Sequence, residues 1–181
     1  MKRLWMVLLV LAGVATGVGL YWWYLTTPVY ALSQVNASIK GHDWDTFTIF
    51  VDVNSLADTT ATDFAAIAAE AMEEKRLSRI ITKGLSALLA IKVRTSLRDD
   101  LKGWVTGAPP ERKGALSSFL PTPSESKTSL KKISWKGAVA KARVGIGNDA
   151  VLELELEKTG ENWRVTRILN VRELYEKSKK K

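Results

Sequence analysis

The sequence contains no cysteine and only one histidine, and these two shortages exclude several kinds of chemistry. Without thiols, the chain cannot form disulfides, thiolate metal sites or a cysteine nucleophile. A Ser-His-Asp triad or a histidine-bound zinc ion would have to use His42, which lies in a predicted turn where an exposed polar side chain is ordinary. Gly145 and Gly147 lack the G-x-G-x-x-G spacing of a dinucleotide-binding loop. The sequence therefore predicts neither a metal site nor a cofactor.

Acidic residues are scarce relative to basic ones, with 19 Asp and Glu against 27 Lys and Arg and a net charge of +8. This excess favours contact with anionic partners without identifying one. Several basic residues form a C-terminal tail over residues 177–181, which we expect to be solvated. The alternative hypothesis is that the tail contacts anionic lipid or a cell-wall polymer. The basic residues of the tail are Lys177, Lys179, Lys180 and Lys181.

Charge is absent from Leu4–Leu25, a run of 22 apolar and aromatic residues. As a helix this run would be about 33 Å long, enough to cross a hydrocarbon core of about 30 Å. Lys2 and Arg3 precede the run, whereas the fifteen residues after it contain only Lys40 as a charged residue. This asymmetry predicts that residues 1–3 lie in the cytoplasm and that the rest of the chain is exported.

The end of the apolar run is marked by four aromatic residues, including Trp22 and Trp23, whose rings favour the headgroup layer. A cleaved signal peptide would carry small residues here, so residues 4–25 are predicted to remain as the anchor of a single-pass protein of the bacterial cytoplasmic (inner) membrane. Gly13 and Gly17 form a G-x-x-x-G pair in this segment. Such a pair either allows a homodimer to form through close helix contact or reflects the general frequency of glycine in membrane helices.

Two helices are predicted at the start of the extracytoplasmic domain, which we assign to residues 26–176. Thr27 followed by Pro28 is typical of a helix start, because the hydroxyl can cap the helix and proline suits its first position. This helix should end at Gly41. Asp43 is then expected to cap a second, shorter helix.

A third helical pattern extends from about residue 63 to residue 104, which is longer than most helices in globular proteins. We therefore expect a break, either near residues 75–77 or near residues 90–94. The apolar stripe of this pattern is expected to be buried in the core of the domain. It includes Ile67, Leu85, Leu88, Leu97, Leu101 and Val105.

The C-terminal part of the domain changes to a period of two residues. Residues 107–129 are rich in proline, serine and glycine and are predicted to form a flexible surface loop. From Ile133 onward, apolar and polar residues alternate between short turn segments, as in an antiparallel meander. Lys141 and Arg143 should then face glutamates of the next strand. The predicted fold class is α+β, with helices packed on a curved antiparallel sheet of three to four strands.

Two stretches of the chain resemble a known family. The region 27–56, with its Pro-Tyr helix start and its Phe47-x-x-x-Val51-Asp52 motif, resembles the opening of a bacterial membrane-anchored domain family of unknown function. The region 160–168, with Trp163-x-Val165, resembles the closing strand of that family. The same pattern is similar to the cone-shaped fold of cystatin-like and ketosteroid-isomerase-like domains. The resemblance implies a fold and a location but no activity.

Acidic residues and one arginine are the candidates for a ligand-binding site. Asp43, Asp45 and Asp52 lie close in sequence, and a carboxylate buried in a cone can act as a base. Asp43 and Asp52 also occupy positions where a helix cap is expected. Arg167 points to the core if the strand alternates regularly, or outward if a bulge precedes Ile168. We take Asp52 and Arg167 as the candidate ligand-binding residues.

The leading hypothesis is an envelope protein without enzymatic activity, whose cone or basic surface binds a ligand, a polymer or a protein partner. The alternative is a small isomerase-like or hydrolase-like enzyme that uses a buried carboxylate. The lipid bilayer is an expected partner. Nucleic acid is not, because the domain would lie outside the cytoplasm.

Overall fold

The computed structural model describes residues 2–74, 79–108, 128–146 and 150–179. Within these ranges the chain forms six helices and four strands, so the predicted α+β class is confirmed. The helices are α1 (Lys2–Leu25), α2 (Pro28–Gly41), α3 (Trp44–Phe50), α4 (Val53–Glu74), α5 (Arg79–Thr106) and α6 (Val171–Lys179). The strands are β1 (Thr128–Lys136), β2 (Val139–Ile146), β3 (Ala150–Thr159) and β4 (Asn162–Ile168).

Helix α1 presents its apolar side chains to the outside of the domain. Trp22 and Trp23 are 67% and 62% exposed, and most of the other large apolar side chains that the structure describes in this helix are similarly accessible. Among the described residues, no single helix has both the length and the mean hydropathy of a membrane span. Leu9–Leu25 and Pro28–Gly41 meet that criterion only as a pair, joined by a bend of 69°.

Helix α2 begins and ends where the sequence predicts. The side chain of Thr27 accepts a hydrogen bond from the backbone N–H of Tyr30, and Pro28 is the first helical residue. Beyond Gly41, the residue in the left-handed conformation is His42, with φ of 55°. The Nδ1 atom of His42 also lies 2.8 Å from the carbonyl oxygen of Val105, near the end of α5. This contact fixes the turn after α2 to the end of α5, a role of His42 that no local pattern in the sequence indicates.

The predicted break in the long helical pattern falls between α4, which ends at Glu74, and α5, which begins at Arg79. Residues 75–78 lie outside the described part of the chain. The alternative break near residues 90–94 is wrong, because α5 is continuous there. Arg94 of α5 forms an ion pair with Asp58 of α4, as expected for antiparallel neighbours.

Among the described side chains of α5, those that are buried in the core come from its second half. Leu97, Leu101 and Val105 are in the core, as predicted. Leu85 and Leu88 are 41% and 65% exposed, so their predicted burial is wrong. The physical reason is that the described core includes α5 side chains only from Leu97 onward, so Leu85 and Leu88 lie beyond it.

The four strands form one antiparallel sheet in the order β1-β2-β3-β4. The predicted pairing of charges is confirmed, because Lys141 lies opposite Glu155 and Arg143 lies opposite Glu153. Arg143 and Glu153 also form an ion pair. The opposite, inner face of the sheet packs against the helices. It carries Ala140, Ala142, Val144, Ile146, Leu152, Leu154, Leu156, Trp163, Val165 and Ile168.

Two predicted boundaries need correction. Strand β1 begins at Thr128, five residues before Ile133, so the predicted end of the loop at residue 129 is wrong. Residues 109–127 of the predicted loop lie outside the described part of the chain. At the C-terminus, helix α6 crosses the predicted start of the tail at Lys177. The helix forms because Val171 is buried and Tyr175 packs edge-on against Phe64 of α4, with ring centroids 6.0 Å apart.

The turn after α5 gives a testable prediction. Gly107 has φ of +72°, a conformation that destabilises other residues by about 1–2 kcal/mol, and an added Cβ would lie 2.9 Å from Cε1 of His42. Moving the ring would weaken its contact with Val105, worth about 1 kcal/mol. We expect Gly107→Ala to lower the free energy of unfolding, measured by urea denaturation of the full chain in detergent, by about 2–3 kcal/mol.

Gly160→Ala is the matched control for this substitution. Gly160 has φ of +64°, but no atom of the described residues lies within 4 Å of an added Cβ. This variant should therefore lose only the backbone contribution of about 1–2 kcal/mol. Equal losses in the two variants would contradict a steric role for the His42 ring.

Candidate functional site

A cavity of about 350 Å³ lies between the helices and the inner face of the sheet. This volume is at the lower end of the range of about 300–1,000 Å³ that is typical of small-molecule sites. Its walls come from α2, α3, α4, α5 and all four strands. The apolar lining residues are Val29, Leu32, Val35, Ile39, Phe47, Val51, Leu56, Leu97, Leu101, Trp104, Leu130, Val144, Ile146, Leu152, Leu154, Val165 and Ile168.

Four polar residues complete the lining, and they come from α2 and the start of β1. They are Ser33, Asn36, Thr128 and Ser129. The hydroxyl of Thr128 donates a hydrogen bond of 2.5 Å to Oδ1 of Asn36, which ties the strand to the helix. Ser33 and Ser129 are exposed, so this polar group marks the place where the cavity wall meets solvent.

No acidic, basic or histidine side chain is among the described residues that line the cavity. Such a wall can exclude water and make dispersion contacts, and its hydroxyl and amide groups can orient one polar end of a ligand. It offers no group that would transfer a proton near neutral pH. No cluster of three or more potential metal ligands occurs in the described ranges either.

The sequence builds the sheet side of this wall by strict alternation. Val144 and Ile146 of β2 and Leu152 and Leu154 of β3 are spaced two apart, so all four side chains point to the inner face. The pairing of β2 with β3 has no bulge from Val139 to Ile146, which keeps this face continuously apolar. A shift of one residue would instead place the glutamates of β3 in the cavity.

Asp52 does not line the cavity. Its Oδ1 accepts a hydrogen bond of 3.0 Å from the backbone N–H of Ser55, so Asp52 caps α4. A helix cap was one of the two roles predicted for this residue, and a base was the other. This backbone hydrogen bond is the main cause that lowers the pKa of the Asp52 carboxyl. Burial opposes it, and the Ser55 side chain and nearby Arg164 add smaller lowering effects. A carboxylate that serves as a base near neutral pH needs a raised pKa, so the geometry gives Asp52 a structural role.

Arg167 also lies outside the cavity lining. The register between β3 and β4 shifts after Glu155, so Arg167 pairs with Glu155 while Val165 pairs with Leu156. Of the two arrangements predicted for Arg167, the structure therefore has the bulge. Its Nη2 lies 2.9 and 3.1 Å from the two carboxylate oxygens of Asp63, and the pair joins β4 to α4. Asp52 and Arg167 thus both contact residues of α4, and neither is among the residues that line the cavity.

The other predicted contact residues lie at the two ends of the described chain. Trp22 and Trp23 are exposed on α1, and Lys2 and Arg3 belong to its first turn. Lys177 lies in α6, where its Nζ is 2.7 Å from Glu173 Oε1, and α6 ends at Lys179. Lys180 and Lys181 lie outside the described residues.

The end of α1 is joined to the domain by aromatic side chains. The indole Nε1 of Trp163 donates a hydrogen bond of 2.8 Å to the carbonyl oxygen of Thr26. The ring of Tyr24 packs edge-on against Tyr30, and Tyr30 packs edge-on against Phe50, with centroids 5.7 and 5.9 Å apart. The exit of α1 is therefore held by buried contacts of α2, α3 and β4.

Sequence reasoning missed the cavity residues as a functional group. Their apolar spacing predicts burial in the core, because periodicity shows which face of an element is buried but not whether two buried faces touch. The available signal was the set of polar residues on the inner side, above all Asn36 within an otherwise apolar stripe of α2.

Comparison of the chain with protein-family models, with curated proteins and with solved structures finds no match. The resemblance to a bacterial membrane-anchored family and to cone-shaped domains therefore stays a prediction.

The cap at Asp52 gives a testable pH dependence. Asp52→Ala should lower the free energy of unfolding by about 1 kcal/mol at pH 7, because one N–H of α4 loses its acceptor. Since the folded pKa is depressed, the carboxylate stabilises the fold above the unfolded pKa of about 4, and this contribution is lost as the pH falls through the folded value. Denaturation series between neutral and acidic pH should show the difference shrinking below about pH 4.

Asp52→Asn is the control, because asparagine keeps the acceptor oxygen without the charge. It should retain most of the stability at pH 7. A difference between the original chain and Asp52→Ala that grows toward acidic pH would mean that the protonated form is favoured, and would support a general base at this position.

Proposed function

We propose that the protein is a membrane-tethered binding module that holds an apolar or amphipathic ligand, such as a hydrocarbon chain with a polar end, in the cavity between its helices and sheet. Helix α1 is the tether, with the N-terminus in the cytoplasm and the domain outside it. The observation that carries the proposal is the composition of the cavity, whose described lining is apolar apart from Ser33, Asn36, Thr128 and Ser129.

The tether is supported by the exposure of α1. A helix of 24 residues is about 36 Å long, and its uncharged part alone is longer than a hydrocarbon core. Contiguous apolar surface of this size on a domain marks contact with a partner or a membrane. Helix α2 is a poorer candidate for the bilayer, since Ala31, Ser38 and Ile39 are buried in the domain. The exposed apolar residues of α1 include Leu9, Val10, Leu11, Val14, Val18 and Leu20.

The position of the cavity supports a ligand that comes from the bilayer. Val29 is the second residue of α2 and lines the cavity, only three residues after Thr26. The lining continues along α2 to Ile39, so the apolar space begins near the end of the proposed tether and extends away from it.

The transfer free energy of a hydrocarbon chain explains why the four polar residues of the lining matter for ligand discrimination. Moving one methylene from water into an apolar cavity is favourable by about 0.8 kcal/mol. Moving it from a bilayer contributes little, because lipid tails are as apolar as the cavity wall. Discrimination among lipid-like ligands therefore depends on Ser33, Asn36, Thr128 and Ser129, which can hydrogen-bond the polar end of a ligand.

A photoreactive fatty acid tests the proposal. The full chain is placed in lipid nanodiscs with a fatty acid that carries a diazirine near its methyl end, and adducts are mapped by mass spectrometry after illumination. We expect adducts on α1 from the surrounding bilayer and, separately, on Leu152 and Leu154 from the cavity. An unlabelled fatty acid should compete only for the cavity adducts.

Two valine variants make the assignment specific. Val144→Trp fills the cavity and should abolish the adducts on β3, whereas Val139→Trp, on the same strand but exposed, should leave them unchanged. Circular dichroism checks that both variants are folded, since overpacking destabilises a core by about 1–3 kcal/mol. Adducts confined to α1 would overturn the ligand proposal, and adducts confined to the cavity would overturn the tether.

A further inference from the structure

The structure assigns a second membrane contact to the turn between β1 and β2, which we propose rests on the headgroup layer of the same bilayer that holds α1. The turn contains Gly137, with φ of 62°, and is flanked by Trp135 and Val139. The inference rests on the proposed function in one respect, namely that α1 lies in a bilayer.

Hydrogen bonds place this turn at the end of the sheet where α1 leaves the domain. Trp163, at the start of β4, is bonded to the carbonyl of Thr26, directly after α1. Trp163 pairs with Lys158 of β3, and the N–H of Lys158 donates a hydrogen bond of 2.8 Å to the carbonyl of Ala138 in the turn. Neighbouring strands are about 4.8 Å apart, so two strand spacings, about 10 Å, separate the turn from β4.

The side chains of the turn have the chemistry of a membrane interface. Trp135 is 46% exposed and Val139 is 42% exposed, although aromatic and aliphatic side chains in a sheet are usually covered. An indole favours the boundary between headgroups and hydrocarbon, because it is apolar with one polar N–H. Ile49 of α3 is also exposed, and its neighbour Thr48 accepts a hydrogen bond from Arg164 at the same end of the sheet.

Charge around the turn favours lipid phosphates. The hairpin segment 131–143 contains five basic residues and no acidic one. Arg143 and Lys141 lie opposite glutamates of β3, whereas Lys136 lies opposite Val139 and has no acidic cross-strand neighbour. Lys136 and Trp135 are consecutive exposed residues of β1, so their side chains project from opposite faces of the sheet, and the turn presents a cation on one side and an indole on the other. Glu157 and Glu161 lie at the same end of the sheet, and Glu157 pairs with Arg164.

This surface differs from the exposed apolar side chains of α5. Leu88 and Ile91 are more exposed than Trp135, but none of the described residues around them indicates what covers them. The β1–β2 turn lies at the same end of the sheet as the exit of the proposed membrane helix, two strand spacings from β4, and this proximity identifies its occupant.

Spin labels test the inference in the full chain. The sequence has no cysteine, so single cysteines can be introduced at Val139, at Val14 in α1, and at Thr106, which is exposed at the end of α5 beside the His42 turn. Each labelled protein is reconstituted in vesicles of phosphatidylcholine and phosphatidylglycerol. Electron paramagnetic resonance then measures collision with oxygen, which concentrates in the bilayer, and with a water-soluble nickel chelate.

The expected ratio of oxygen to nickel collisions is highest at position 14, intermediate at 139 and lowest at 106. Lys136→Glu, a change at an exposed position, should lower the ratio at 139 toward that at 106 and leave position 14 unchanged. Equal ratios at 139 and 106, with a high ratio at 14, would overturn the second contact while leaving the tether intact. A low ratio at 14 would overturn the tether itself.

Discussion

The hydrogen bond from the Trp163 indole to the carbonyl of Thr26 is the contact on which the geometry of this protein depends. Trp163 is 4% exposed, and a buried indole N–H needs an acceptor. Because that acceptor directly follows α1, the apolar helix is fixed to the sheet instead of trailing from a free linker. The edge-on rings of Tyr24, Tyr30 and Phe50 support the same joint. The position of the β1–β2 turn at the same end of the sheet as α1 follows from it.

Local signals in the sequence predicted several elements correctly. The caps at Thr27, Asp43 and Asp52 were predictable because a cap involves a side chain and an N–H only three residues away. The register that sets Arg143 opposite Glu153 was also predictable, because a shift of one residue would bury charge. These signals establish the α+β class and the apolar inner face, which is the sheet side of the candidate site.

Features that depend on distant packing could not be predicted. The contact of His42 with Val105 joins residues 63 positions apart, and no local pattern indicates it. The exposure of Leu88 depends on how far α5 extends beyond the core, which its periodicity does not report. Whether helices and sheet close on each other or leave a cavity is likewise a matter of tertiary distance. Arg167 shows the intermediate case, because alternation left two orientations open and a bulge decided between them.

Cysteine accessibility in bacterial cells tests most directly whether the chain crosses a membrane with its N-terminus in the cytoplasm and its domain outside. The natural chain has no cysteine, so a thiol at Thr106 and another inserted between residues 1 and 2 can each be the single target of a membrane-impermeant maleimide. In spheroplasts with intact inner membranes, we expect reaction at position 106 at once and reaction at the N-terminus only after permeabilisation. Protection at position 106 together with reaction at the N-terminus would contradict it.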